Sequence, residues 1–170
     1  MSKYFTSAYR FGILGGALSV VSFIVLSLIY GDATNLNLVF GYVITPISIF
    51  IAIKIFKEYA NAGYLSFAEG MSVGFVCYMV LASISCAGIW LTLMFWPDLF
   101  QEIKTSKLDV LSNNKDSIVS QLGVESYDMT LKSLSNLSQW DIGFNDAIWK
   151  IIPGLFFTII ISIILRKNPN

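Results

Sequence analysis

Four long stretches of this chain contain no charged residue, and they span residues 11–31, 33–53, 70–97 and 151–165. A bilayer core about 30 Å thick is crossed by roughly 20 helical residues, and the first three stretches reach that length. The fourth reaches it only if residues 147–149 are added, with the Lys150 side chain extended towards water. The sequence therefore predicts four transmembrane helices, at about residues 11–30, 38–56, 70–96 and 147–165.

The composition fits a membrane protein better than a soluble domain. Of the 170 residues, 13% are charged and 55% are hydrophobic, whereas about a quarter of the residues in a soluble domain are charged. The first apolar segment resembles a secretory signal, because Gly31-Asp32-Ala33 imitates a small-x-small cleavage site. That segment is longer than the roughly 7–15 apolar residues of a signal core. We therefore expect one integral membrane domain over residues 1–170, in contact with the lipid bilayer.

Positive charge is concentrated at the two ends of the chain and in the loop between spans two and three. These segments hold six of the eleven Lys and Arg residues in about thirty positions, while the other five are spread over nearly sixty loop positions. Lysine and arginine in short loops favour the cytoplasmic side, and acidic residues count little. The pattern predicts cytoplasmic N- and C-termini and an extracytoplasmic insert, residues 98–146, between spans three and four.

The insert is polar, but it carries apolar residues at helical spacing. Tyr127, Leu131 and Leu134 recur every three or four residues, and residues 118–122 supply a second short apolar face. We expect two or three short amphipathic helices. They would lie on the outer leaflet, pack over the mouth of the bundle, or contact a partner.

Helix starts and interruptions can also be read from the sequence. Ser66-Phe67-Ala68-Glu69 has the spacing of a capping box, which predicts that span three begins at Ser66. Asp146 is expected to cap span four, Asp141 to be solvated, and Pro46 to kink span two. All four spans then lack ionisable groups near the centre of the bilayer, where a transporter usually has them.

One string in span three resembles a catalytic motif. Gly70-Met71-Ser72-Val73-Gly74 fits G-x-S-x-G, but the chain contains no histidine, and the motif needs a strand-to-helix turn. Lys54 or Lys57 would be the remaining candidate base. The two glycines fit packing better, because with Cys77, Ser85 and Gly88 they place small residues along one helix face. We therefore expect no catalytic residues.

Metal, cofactor and nucleic-acid sites are equally weak in the sequence. Cys77 and Cys86 lie nine positions apart and point to opposite sides of one helix, so a metal would have to use carboxylates. The chain shows no calcium-loop pattern, no phosphate loop, no dinucleotide fingerprint and no basic nucleic-acid patch. We expect no metal, no cofactor and no nucleic-acid partner.

The layout resembles a known family of bacterial four-span membrane proteins, the domain-of-unknown-function 4199 family. The resemblance covers essentially the whole chain. It rests on the four spans, the glycines of span one, the polar insert before the last span, and the string Gly63-Tyr64-Leu65-Ser66-Phe67-Ala68-Glu69-Gly70. The resemblance implies a multi-pass protein of the bacterial inner membrane. It implies no activity and no functional residues.

These patterns predict an all-α fold, a four-helix transmembrane bundle with a helical extracytoplasmic insert between spans three and four. For function, we expect a non-enzymatic component of the membrane or of an assembly, whose insert contacts a membrane protein partner or a second copy of the chain. A small oligomeric transporter or channel is the alternative, and a membrane-embedded hydrolase comes third. Polar or charged residues facing a cavity at mid-membrane depth would favour transport, whereas a closed apolar bundle would favour the interaction role.

Overall fold

The computed structural model describes residues 3–168, and within them it contains seven α-helices and no strand. In chain order the helices are α1 (Lys3–Tyr30), α2 (Thr34–Ile55), α3 (Phe67–Phe95), α4 (Pro97–Asn113), α5 (Lys115–Leu122), α6 (Val124–Ser135) and α7 (Gln139–Leu165). One π-helical turn, Phe56–Ala60, extends α2. The predicted all-α class is confirmed.

Four of these helices are long and apolar enough to cross a membrane. They are α1, α2 with its π-helical turn, α3 and α7, each 27–29 residues long. At 1.5 Å per residue, such a helix measures about 40–44 Å and exceeds a hydrocarbon core of about 30 Å. The predicted number of spans is confirmed, and the protein is a multi-pass membrane protein.

Helix α3 lies at the centre of the bundle, packed along α1 on one side and along α7 on the other, and α2 also packs against α1 and α7. Small residues allow these close approaches. A Cβ atom on Gly12 of α1 would lie 2.7 Å from the Cys77 carbonyl oxygen of α3, so only glycine fits there. The predicted small-residue packing is confirmed, but the glycines of α3 serve two partners. Gly74 faces α7, whereas Gly88 faces α1.

Two capping boxes set the starts of α3 and α7. At α3, the Ser66 hydroxyl accepts from the Glu69 backbone N–H, and the Glu69 carboxylate accepts from the Ser66 N–H, as predicted. At α7, Ser138 and Asp141 make the same reciprocal pair. Helix α7 therefore begins at Gln139 rather than at residue 147. The prediction that Asp146 caps this helix is wrong, because the cap lies two turns earlier. Asp141 is exposed to solvent, as predicted, and also takes part in the cap.

The insert folds as helices α4, α5 and α6, which confirms the helical prediction. Of the three placements left open, the structure shows packing over one end of the bundle. Leu99, Phe100 and Ile103 of α4 are buried with Phe23 of α1 and Ile89 of α3. This end of the bundle, where α1 ends and α2 and α7 begin, is called the mouth below. By contrast, α5 buries no residue.

Polar contacts join the chain segments at the end opposite the mouth. The Lys3 ammonium donates to Asn61 at 3.1 Å and lies 3.3 Å from a Glu69 carboxylate oxygen. Leu65 and Lys167 exchange two backbone hydrogen bonds of 2.8 and 2.9 Å. The tail after α7 is thereby held against the loop between α2 and α3. Beneath these contacts an apolar core fills the bundle, with Phe56, Ile53, Val73 and their neighbours fully buried.

Candidate functional site

Each of the four spans contributes a polar side chain to one cluster near the mouth. The Asp146 carboxylate of α7 is its centre, and it accepts hydrogen bonds from the Asn37 amide of α2 at 2.9 Å and from the Ser85 hydroxyl of α3 at 2.6 Å. It also accepts from the Lys150 ammonium one turn further along α7. The Asn37 carbonyl oxygen accepts from the Ser22 hydroxyl of α1 at 2.6 Å. These five residues are called the ion-pair cluster below.

Both charges of the cluster are removed from solvent. Asp146 is 4% exposed and Lys150 is 1% exposed. Moving a carboxylate or an ammonium group out of water costs several kcal/mol, which is offset only when the two ions are paired and further hydrogen-bonded. Three donors meet that requirement for the Asp146 carboxylate, whereas the Lys150 ammonium donates to Asp146 alone among the described residues. Gly41 makes room for the lysine, because a Cβ atom there would lie 3.2 Å from Lys150 Cε.

The ion pair lies inside the spanning part of α7. Along a helix of about 40 Å, Asp146 is about 10 Å and Lys150 about 16 Å from Gln139. A hydrocarbon core of about 30 Å, if centred on this helix, would start about 5 Å from Gln139 and would include both charges. The prediction that Lys150 extends towards water is wrong, because its side chain is buried and paired with Asp146. The i,i+4 pairing satisfies the lysine inside the bundle instead.

A cavity of about 340 Å³ lies between part of the insert and the bundle at the mouth. Its apolar walls are Phe23, Leu38, Ile89, Leu134, Leu137 and Ile142, and its polar walls are Thr34, Asn37, Lys107, Asp141, Asn145 and Asp146. The cavity meets the ion-pair cluster at Asn37 and Asp146. Its size falls in the range of about 300–1,000 Å³ that is usual for small-molecule sites, and a few polar groups among apolar walls are typical of such sites.

The charged groups around this mouth cavity are unequally compensated. The Lys107 ammonium donates to the Thr34 hydroxyl at 2.9 Å and lies 3.8 Å from an Asp32 carboxylate oxygen. Asp146 is paired with Lys150. Asp141 accepts hydrogen bonds from the Ser138 N–H and hydroxyl through a single carboxylate oxygen, at 2.8 and 2.7 Å. Among residues 3–168, no ion pair involves Asp141.

The G-x-S-x-G string lies in the first turns of α3, away from the mouth. The Ser72 hydroxyl donates to the Ala68 carbonyl at 2.9 Å, as helical serines commonly do. The Lys57 ammonium donates to the Leu165 carbonyl at 3.0 Å. Within the described chain, neither Lys54 nor Lys57 is hydrogen-bonded to Ser72. No group of three His, Cys, Asp or Glu residues there is arranged to hold a metal ion.

The ion-pair cluster was not identified from the sequence, although part of its signal was present. Asp146 and Lys150 have the i,i+4 spacing of an intrahelical ion pair. Ser138-Gln139-Trp140-Asp141 has the capping-box spacing that moves the helix start upstream of both charges. The partners Asn37 and Ser85 carry no such signal, because they lie 109 and 61 positions from Asp146.

Comparison with known proteins identifies the family. A family model described as protein of unknown function (DUF4199) matches residues 10–167. No curated protein and no solved structure is significantly similar to the chain. The matched region includes most of α1, all of α2 to α7, the ion-pair cluster and the mouth cavity. The chain therefore belongs to the DUF4199 family, as the resemblance predicted.

Proposed function

We propose that this protein is a non-enzymatic membrane component that binds a small molecule in the mouth cavity as part of an interaction or assembly role. The observation that carries the proposal is the mouth cavity itself, which opens onto a buried ion pair joined to all four spans. Replacing a buried ion pair by apolar residues is often neutral or stabilising, so the stability of the bundle alone does not require one. An ionisable residue within a membrane-spanning segment is usually part of a functional site.

We place the mouth on the extracytoplasmic side of a bacterial inner membrane. The end opposite the mouth carries Lys3, Lys57 and Lys167, in the short segments where positive charge counts most for orientation. The insert near the mouth has more acidic than basic residues. On this topology the mouth cavity faces the extracytoplasmic side of the inner membrane.

The contact between the insert and a partner or a second copy of the chain stays a prediction. One apolar face of the insert, with Leu99 and Ile103, is already used to cover the bundle. Leu122 at the end of α5 and Val124 and Met129 on α6 remain exposed. These residues leave an apolar surface free for the interaction role.

A retained ligand would show directly in native mass spectrometry of protein purified in mild maltoside detergent from its own cells. We expect a bound mass in the wild-type protein. Leu134→Trp should remove it, because the larger indole projects into the cavity and narrows it, whereas Leu131→Trp on the exposed side of the same helix should keep it. Wild-type protein without any bound mass, or the same mass in both variants, would contradict binding in this cavity.

Transport is the second candidate, and the ion pair within the spans is the observation in its favour. Below the cluster, the buried hydroxyls of Ser19 and Thr45 have no hydrogen-bond partner in the described chain. Further down, however, the apolar core around Ile53, Phe56 and Val73 closes the bundle. Binding at one end is therefore better supported than passage through the bundle.

Proteoliposomes loaded with a pH-sensitive dye test the transport candidate. Transport predicts that the wild-type protein produces a proton flux, either by itself or in response to a Na⁺ gradient. The double variant Asp146→Asn/Lys150→Met, which removes both charges together, should abolish that flux. A wild-type flux equal to that of protein-free liposomes would count against transport while leaving the binding proposal standing.

A further inference from the structure

We propose that the mouth cavity binds a small organic cation, an ammonium group carried on an apolar body of a few carbon atoms. The inference rests on the proposed binding role of the cavity and names the class of its ligand. It follows from three features of the cavity wall, namely its uncompensated charge, the hydrogen-bonding groups of α7 and the apolar walls.

Charge compensation at the mouth leaves one negative group unpaired. Lys107 is committed to Asp32 and Thr34 across the cavity rim. Lys150 neutralises Asp146 from within the bundle and is not part of the cavity wall. Asp141 has no cationic partner in the described chain. The wall with its immediate partners therefore carries a net negative charge, which favours a cation over an anion.

The hydrogen-bonding groups of α7 also favour a positively charged ligand. Asp141, Ile142, Asn145 and Asp146 line the cavity from one face of the helix. Asp141 uses one carboxylate oxygen for its cap and leaves the other without a donor among the described residues. The Asp146 oxygen that accepts from Ser85 has a further lone pair available. An ammonium group brings three donors to these acceptors, and hydrogen bonds between ions are stronger than neutral ones.

The apolar walls define the rest of the ligand. Phe23, Leu38 and Ile89 line the bundle side of the cavity, and Leu134 and Leu137 line the insert side. Burying a methylene group between such walls stabilises a complex by about 0.8 kcal/mol. A fully hydrated inorganic cation cannot use these walls. A short alkyl chain next to the ammonium group fits both halves of the cavity.

The experiment compares three probes of similar size, n-butylammonium, 1-butanol and butyrate, by thermal unfolding of the full chain in maltoside detergent. A ligand that binds only the folded protein raises the unfolding temperature as its concentration rises. We expect n-butylammonium to do so and the other two probes to have little effect. Asp141→Asn keeps an acceptor for the cap and should weaken the apparent affinity about tenfold or more, the factor expected for losing a hydrogen bond to a charged group.

Two matched variants separate the site from general surface charge. Asp128→Asn changes the net charge equally on an exposed part of α6 outside the cavity, and it should bind n-butylammonium like the wild type. Lys107→Met removes the positive group at the rim and should keep or strengthen the binding. Equal losses in the Asp141 and Asp128 variants, or butyrate binding that depends on Lys107, would overturn the proposal.

The same series distinguishes a wrong ligand class from a wrong site. If butanol or butyrate binds and Leu134→Trp abolishes the effect, the cavity is a binding site and only the cation is refuted. If no probe binds and the wild-type protein retains no bound mass, the proposed function fails as well. Nanodiscs with and without phosphatidylethanolamine then identify the source of the cation. If this lipid competes with n-butylammonium, its headgroup ammonium occupies the site. If it does not compete, the natural ligand is a free amine.

Discussion

Removing the ammonium group of Lys150 should destabilise the bundle strongly. In Lys150→Met, the Asp146 carboxylate stays buried and keeps the hydrogen bonds from Asn37 and Ser85, but it loses its counter-ion. Breaking a buried ion pair at one partner costs about 3–5 kcal/mol. We expect the lower end, about 3 kcal/mol, because the two remaining donors still stabilise the charge. That is a large fraction of a typical unfolding free energy of about 5–15 kcal/mol.

The double variant Asp146→Asn/Lys150→Met gives the reasoning its sharpest test. It removes both charges while the new asparagine keeps polar groups beside Asn37 and Ser85, so we expect its stability within about 1 kcal/mol of the wild type. The assay is reversible unfolding in mixed maltoside and SDS micelles, followed by far-UV circular dichroism. Lys132→Met on the exposed surface is the matched control. The ion-pair account is refuted if Lys150→Met costs no more than this control, or if the double variant is less stable than both single variants.

Three further results are expected. Gly74→Leu should destabilise the bundle by about 1–3 kcal/mol in the same unfolding assay, because Gly74 packs tightly against α7. Ser72→Ala should be nearly neutral, because the Ser72 hydroxyl is hydrogen-bonded only within its own helix. A cysteine at exposed Asn113 should react with a membrane-impermeant maleimide in intact spheroplasts, whereas one at Lys3 should react only after lysis, and the reverse pattern would refute the orientation. Ile103→Ser should speed hydrogen exchange across the insert while the four spans stay protected, since this side chain is fully buried between the insert and the bundle; unchanged exchange would show that the insert docks by other contacts.

The features that the sequence predicted correctly are those encoded by nearby residues. Charge-free stretches identified the four spans, the Ser66 capping box gave the start of α3, and small residues marked the close helix contacts. Each of these signals depends on residues a few positions apart. The insert shows where such signals stop. The spacing of its apolar residues predicted helices but not what these helices pack against. The insert packs on the bundle mouth because Phe100 and Ile103 contact a complementary apolar surface on α1 and α3.

The start of α7 was misplaced for a related reason. A hydropathy profile treats each charged residue as if it were surrounded by lipid or water. It therefore places the end of the span at Asp146 and extends the Lys150 side chain towards water. In the folded chain the same two residues are satisfied by each other and by side chains from distant helices. The cost of burying them depends on partners that a window of neighbouring residues does not contain. The part of the molecule that hydropathy misplaces is therefore the candidate site itself.

The position of the ion-pair cluster explains how an event in the mouth cavity would reach the rest of the bundle. Most contacts between spans join helices two at a time, through glycines and apolar side chains. The cluster instead joins all four spans through hydrogen bonds centred on one carboxylate, and two of its members, Asn37 and Asp146, also form part of the cavity wall.

A cation that approaches Asp146 competes with Lys150 for the carboxylate. Occupancy of the cavity would then weaken the internal ion pair and change the hydrogen bonds that hold the four spans together. The Lys150→Met variant mimics that weakened pair, so a bound n-butylammonium ion should stabilise this variant more than it stabilises the wild type. Equal stabilisation of the two proteins would show that cavity and ion pair act independently.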